Sequence, residues 1–194
     1  MKKVYIIHGW EGSPEEPLLK WLSEKLTNKG YEVTVPAMPN PENPKIEEWI
    51  PFLQETITSP DNQTYFIGHS IGCQAILRYL ETLPEETKIG GILLLAPWMH
   101  LDQQTIEEEG PEVVEMARPW METPINFEKV KSQIGKSVAI FSDNDPYVPL
   151  SGKDIFKELL GAEIYIEHEK GHFDPASGIN ELPLALEAIL KISE

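Results

Sequence analysis

The chain has 194 residues, 41% hydrophobic and 25% charged, a composition that excludes a disordered segment and suits a globular one. That length fits one domain, large enough to bury roughly 70% of its unfolded surface around a single core. A formal net charge of −16 argues against nucleic acid and anionic membranes as partners, since both require clustered Lys and Arg.

Residues 4–8 read as a first buried strand, because their apolar side chains run on without alternation. This run is too short for a secretory segment, and no stretch approaches the ~20 apolar residues of a membrane span. Cys73 is the one cysteine, so an intramolecular disulfide is excluded, and a reducing, cytoplasmic location is expected. After the turn-rich Gly9-Trp10-Glu11-Gly12-Ser13, a helix is predicted over 16–28, with Leu18, Leu19, Leu22 and Leu26 on one side and Gly30 as its stop. A second strand over 31–35, a proline-rich loop over 36–44 and an amphipathic helix over 46–57 follow.

The third strand, over 64–67, leads at once into Gly68-His69-Ser70-Ile71-Gly72, and a helix continues to about residue 83. Apolar runs at 91–96 and 137–142 are the fourth and fifth strands, 154–160 a helix, 163–167 a sixth strand and 181–192 the closing helix. Strands alternating with helices predict a parallel sheet covered on both faces, an α/β fold in one domain over 1–194. One connection, 98–135, breaks the alternation. It leaves the C-terminal end of a strand and carries Trp98, Met99, Trp120, Met121 and Phe127, which suits a small lid or pocket wall. The plainer reading is an ordinary crossover helix with a decorated entry.

A Gly-x-Ser-x-Gly pentapeptide between strand and helix is the pattern of a nucleophile elbow, which projects a serine hydroxyl clear of the sheet. The flanking glycines leave room for the neighbouring strand and helix. A serine hydroxyl needs a base within reach and an acid to orient that base. Open α/β sheets present functional groups at the C-terminal ends of their strands. After the fifth strand comes Ser142-Asp143-Asn144-Asp145-Pro146-Tyr147-Val148-Pro149, and after the sixth Glu167-His168-Glu169-Lys170-Gly171-His172-Phe173. Ser, Asp and His therefore arrive in the order this architecture uses. Asp145 is preferred to Asp143 because it directly precedes the proline turn. His172 is preferred to His168, which lies against the strand. His8 and His69 read as packing or hydrogen-bonding residues, and Cys73 as core. The oxyanion hole is expected from the backbone N–H groups of Ile71 and Trp10.

Ile6-Ile7-His8-Gly9-Trp10, Met38-Pro39-Asn40-Pro41, the Ser70 pentapeptide with Cys73, Asp145-Pro146-Tyr147-Val148-Pro149 and Gly171-His172-Phe173 together resemble the small α/β-hydrolases of the retinoblastoma-binding-protein-nine and YdeN-like serine hydrolase family. Arg118-Pro119-Trp120 is similar to a tract of its eukaryotic members. The resemblance spans nearly the whole chain. It implies a three-layer α/β/α sandwich, a reduced α/β-hydrolase fold with about six parallel strands in the order 2-1-3-4-5-6. It also implies Ser70, Asp145 and His172 as the catalytic triad. The expected activity is hydrolysis of a small ester, with amides and acyl transfer as variants, without metal or cofactor. Trp10, Trp98 and Trp120 are expected to shape an apolar pocket for that substrate. The competing class is a protein-binding module on an inactive hydrolase scaffold.

Overall fold

In the computed structural model, which describes residues 1–101 and 103–194, six strands form one sheet. These are β1 (Lys3–Ile7), β2 (Glu32–Thr34), β3 (Thr64–His69), β4 (Ile89–Leu95), β5 (Ile134–Ser142) and β6 (Glu163–Glu167). All five pairings are parallel, and the spatial order is β2-β1-β3-β4-β5-β6. The expected α/β fold and strand order are borne out.

The helices are α1 (Pro17–Asn28), α2 (Ile46–Thr56), α3 (Ile71–Thr82), α4 (Gln103–Glu109), α5 (Pro111–Glu122), α6 (Phe127–Gln133), α7 (Lys153–Leu160) and α8 (Pro183–Ile192). From β1 the chain steps outward to β2 through α1, whereas every later crossover moves the other way. Right-handed crossovers therefore put α1 on one face and α2, α3, α6 and α7 on the other. The contacts agree: α1 touches α8, while α3 touches α2 and α6, and α6 touches α7.

Burial explains the elements. β3 is buried at every position, and the inner residues of α1 are the four leucines of its expected stripe. β6 differs from the expectation of strands buried throughout. It is one edge of the sheet, and Ile166 on it stays 41% exposed; β2, at the other edge, likewise has no buried position. β5 starts at Ile134, three residues before the apolar run, because α6 passes directly into it. The 98–135 connection holds α4, α5 and α6 in succession.

The reversal of strand order falls between β1 and β3. Neighbouring loops leave in opposite directions there, which opens a crevice at the carboxyl ends of the strands. Ser70 and Gly9 both lie at this crevice.

Candidate active site

β3 ends at His69 and α3 begins at Ile71, so Ser70 alone makes the turn, with φ 53° and ψ −123°. A non-glycine residue in that region is strained by of order 1–3 kcal/mol, and such strain is found where a side chain must be presented in one direction. Its neighbours enforce it. A Cβ at Gly72 would lie 2.4 Å from the Ile7 carbonyl oxygen and 2.6 Å from that of His8. A Cβ at Gly68 would lie 2.8 Å from the Cys73 backbone. The Ser70 N–H donates to the Leu95 carbonyl at 2.9 Å, which ties the turn to β4.

The loop after β1 runs beside the serine: a Cβ at Gly9 would be 3.3 Å from that of Ser70. His8 holds this loop. Its Nε2 accepts from the Met38 N–H at 3.0 Å, so Nδ1–H donates to the Gly9 carbonyl at 2.9 Å. Burial lowers the His8 pKa, against the opposing pull of that Gly9 bond. Trp10 Nε1–H reaches the Glu42 carbonyl at 3.2 Å, and the Glu11 N–H that of Pro41 at 2.8 Å. The Ile71 N–H is the first of α3 and has no partner inside its helix.

Across the crevice, His172 donates from Nδ1 to Asp145 Oδ2 at 2.8 Å, with the two side chains 10% and 2% exposed. Asp145 Oδ1 accepts the N–H groups of Tyr147 and Val148 at 2.9 and 3.0 Å. The backbone of His172 is pinned as well. Its N–H donates to Ser177 Oγ at 3.0 Å, and its carbonyl accepts from His69 Nε2 at 2.7 Å. Gly171 takes φ +53°, and a Cβ there would strike Ser177 Oγ. Tyr147 stands edge-on to the His172 ring, with centroids 5.1 Å apart.

The competing residues pair with each other. Asp143 Oδ2 accepts from Nδ1 of His168, whose side chain is 84% exposed. The Glu169 N–H and the His168 bond together lower the Asp143 pKa, and the Asp143 bond raises that of His168. This second pair belongs to the protein surface. Sequence reasoning passed over Ser142 and Asn144, which join the two loops. Ser142 Oγ donates to Asn144 Oδ1 at 2.8 Å and accepts the Lys170 N–H at 3.0 Å, and Asn144 Oδ1 accepts the Gly171 N–H at 2.8 Å. Their one sequence signal was an unbroken polar run directly after a strand.

Ser70 and His172 line a cavity of about 670 Å³. Trp10, Trp98, Leu101, Val113 and Met116 make its apolar side, so residues before and within α4 and α5 form part of the wall. The expectation for Trp120 needs correction. It lies fully buried outside the cavity lining, T-stacked on Trp49, with Nε1–H donating to the Pro44 carbonyl at 2.9 Å. Its carbonyl and that of Thr123 receive the buried Arg78 guanidinium at 2.9 and 2.8 Å. Both carbonyls hold Arg78 Nη2, and the Trp120 indole packs into the core with its ring centroid 5.7 Å from the same guanidinium. Cys73 is fully buried, with burial raising its thiol pKa and its Sγ on the Leu95 carbonyl. Among the described residues, no group of three or more His, Cys, Asp and Glu side chains is arranged to hold a metal ion.

Residues 4–191 match the family model described as serine hydrolase. The chain is 28% identical over 188 residues to YdeN of Bacillus subtilis, covering 97% of this chain and 94% of that one. The crystal structure of that gene product superposes with a TM-score of 0.86, covering 99% and 98% of the two chains. The serine hydrolase RBBP9 of Rattus norvegicus is 29% identical over 167 residues, 86% of this chain and 78% of its own. The ferulic-acid complex of Est1E from Butyrivibrio proteoclasticus shares the fold, at a TM-score of 0.73 and 16% identity, over 98% and 89% of the chains.

Proposed function

The chain belongs to the serine hydrolase family, and from that premise we propose that it cleaves a small carboxylic ester, or an amide, through a Ser70–His172–Asp145 triad. The observation that carries the reading is a serine at φ 53° in a strand–helix turn, sharing a cavity with a buried histidine hydrogen-bonded to a buried aspartate. His172 gives its Nδ1–H to Asp145, which leaves Nε2 to take the Ser70 proton as Oγ attacks the carbonyl carbon. The tetrahedral oxyanion is received by the backbone N–H groups of Ile71 and Trp10, one at a helix N-terminus and the other on the loop beside Ser70. His172 then protonates the leaving alcohol or amine. Water enters by the same route in reverse, releasing the acid and free Ser70. Trp10 and Trp98 bound the apolar part of the substrate, with residues 98–135 acting as pocket wall. The lone buried Cys73 supports work in a reducing, cytoplasmic compartment.

Labelling with a fluorophosphonate, read by intact mass on wild type, Ser70→Ala and His172→Ala, tests this. One adduct on wild type and none on either variant is expected. A folded wild-type protein that takes no adduct would overturn the hydrolase reading in favour of a binding module.

A further inference from the structure

The loops after β5 and β6 have to deliver Asp145 and His172 to one hydrogen bond of 2.8 Å. Backbone pairing between them reaches only as far as the Asp143 N–H, which donates to the Glu167 carbonyl at 3.0 Å. Side chains take over where that ladder stops. Ser142 Oγ accepts the Lys170 N–H at 3.0 Å, and Asn144 Oδ1 accepts that of Gly171 at 2.8 Å. The Glu169 N–H, one step earlier, goes to Asp143 of the surface pair.

The donors fix the direction of each bond. A backbone N–H can only donate, so the Asn144 atom facing Gly171 is the amide oxygen. An oxygen there can only accept, so the proton between it and the Ser142 hydroxyl, 2.8 Å away, belongs to Ser142. Ser142 keeps a lone pair for Lys170 and is therefore used both ways. At 2% exposure it shields its half of this relay from water.

Where Asn144 grips decides what the grip does. Gly171 is the residue before the base, and glycine has the widest choice of backbone angles. It takes φ +53°, with further positive values at Glu169 (55°) and Phe173 (56°). A side chain at 171 could not supply the hold, because its Cβ would lie 2.2 Å from Ser177 Oγ. Ser177 and His69 hold the His172 N–H and carbonyl, but neither belongs to the loop that bears the acid. Asn144 directly precedes Asp145. Its amide oxygen thus ties the neighbour of the acid to the neighbour of the base.

We infer that Asn144, backed by Ser142, is a positioning residue that sets the Asp145–His172 hydrogen bond. Neither is among the described residues that line the cavity, so the effect falls on turnover and not on substrate binding. The kinetic consequence rests on the Ser70–His172–Asp145 reading.

Asn144→Leu keeps the size of the side chain and removes the acceptor, whereas Asn144→Asp keeps an oxygen for both donors. On a short-chain ester, kcat of Asn144→Leu should fall by about 10² with KM within about twofold of wild type. Asn144→Asp should return kcat to within about fivefold of wild type, since the geometry is restored. Proton NMR reads the bond without turnover. The far-downfield resonance of the His172 Nδ1–H should persist in wild type and Asn144→Asp and be lost or shifted upfield in Asn144→Leu. Wild-type kcat in a folded Asn144→Leu, a loss confined to KM, or an Asn144→Asp no better than Asn144→Leu would overturn the role. Should Asn144→Leu fail to fold, Ser142→Ala takes its place under the same expectation and the same refutation, because it strips the Lys170 acceptor and one donor from Asn144. A wild type inert towards esters and fluorophosphonate would refute the hydrolase reading instead, and the resonance alone would then decide the positioning.

Discussion

Asp145→Asn separates the orientation of His172 from its mere presence. In the wild-type structure Oδ1 receives two backbone N–H groups at 2.9 and 3.0 Å, and Oδ2 receives the imidazole Nδ1–H at 2.8 Å. An asparagine keeps its carbonyl oxygen on the two backbone donors, so the loop after β5 holds its shape. Its amide NH2 then points at Nδ1, and two donors cannot face each other at that distance. The ring responds by moving its proton to Nε2. The atom that has to accept the Ser70 proton is then already occupied. Such a tautomer change costs about 10⁴ in kcat, or about 5.4 kcal/mol of transition-state stabilisation. The assay is kcat/KM on a short-chain ester together with the rate of fluorophosphonate adduct formation, with thermal unfolding as the check on folding. Turnover within about tenfold of wild type in a folded Asp145→Asn would refute the reasoning, because general-base catalysis is worth at least ~10². Asp143→Asn is the contrast. Its partner His168 lies exposed at the surface, and activity should stay near that of wild type.

Gly72→Ala should damage the site without touching a reacting group. The added methyl meets the Ile7 and His8 carbonyls at 2.4 and 2.6 Å, and backbone that close must shift, at a cost of about 1–3 kcal/mol. Because that backbone leads into Trp10, a displacement near 1 Å should lower kcat by about 10². Wild-type kcat with an unchanged melting temperature would contradict it. His69→Gln should remove an acid-sensitive part of the stability. The folded His69 value, about 4, lies below its ordinary 6.5. Between those values the unfolded chain binds more protons, so this contribution is complete above 6.5 and is lost as pH falls towards 4. It amounts to about 3 kcal/mol. Urea midpoints at neutral pH and near pH 4 should differ less in the variant than in wild type; parallel loss in both would count against the buried neutral ring.

The strand–helix alternation was legible because continuous apolar runs such as 4–7 and 92–96, bounded by turns, leave few other solutions. The spatial order of the strands was not carried by periodicity; it came with the family resemblance. Ser70 could be singled out because an elbow is a local device: its glycines and its serine are neighbours in the chain, and so are the contacts that strain it. Asp145 and His172 were reachable because parallel strands deliver their following loops to one edge of the sheet. The choice between Asp143 and Asp145 rested on a proline turn. In three dimensions the alternatives pair off as two Asp–His couples, one at the surface and one at the cavity.

What the chain could settle alone was therefore whatever depends on neighbours in sequence: the alternation of elements, the strained serine, and the arrival of an acid and a base at strand ends. Tertiary structure decided the rest, because burial and charge environment depend on groups far apart in the chain. Trp98 and Trp120 look alike in sequence, yet one lines the cavity and the other is drawn inward beside Arg78, forty-two residues away. Glu16 and His69, on α1's entry and β3's end, converge only when right-handed crossovers bring both to the same crevice. A helix stripe or a motif carries no record of such a meeting.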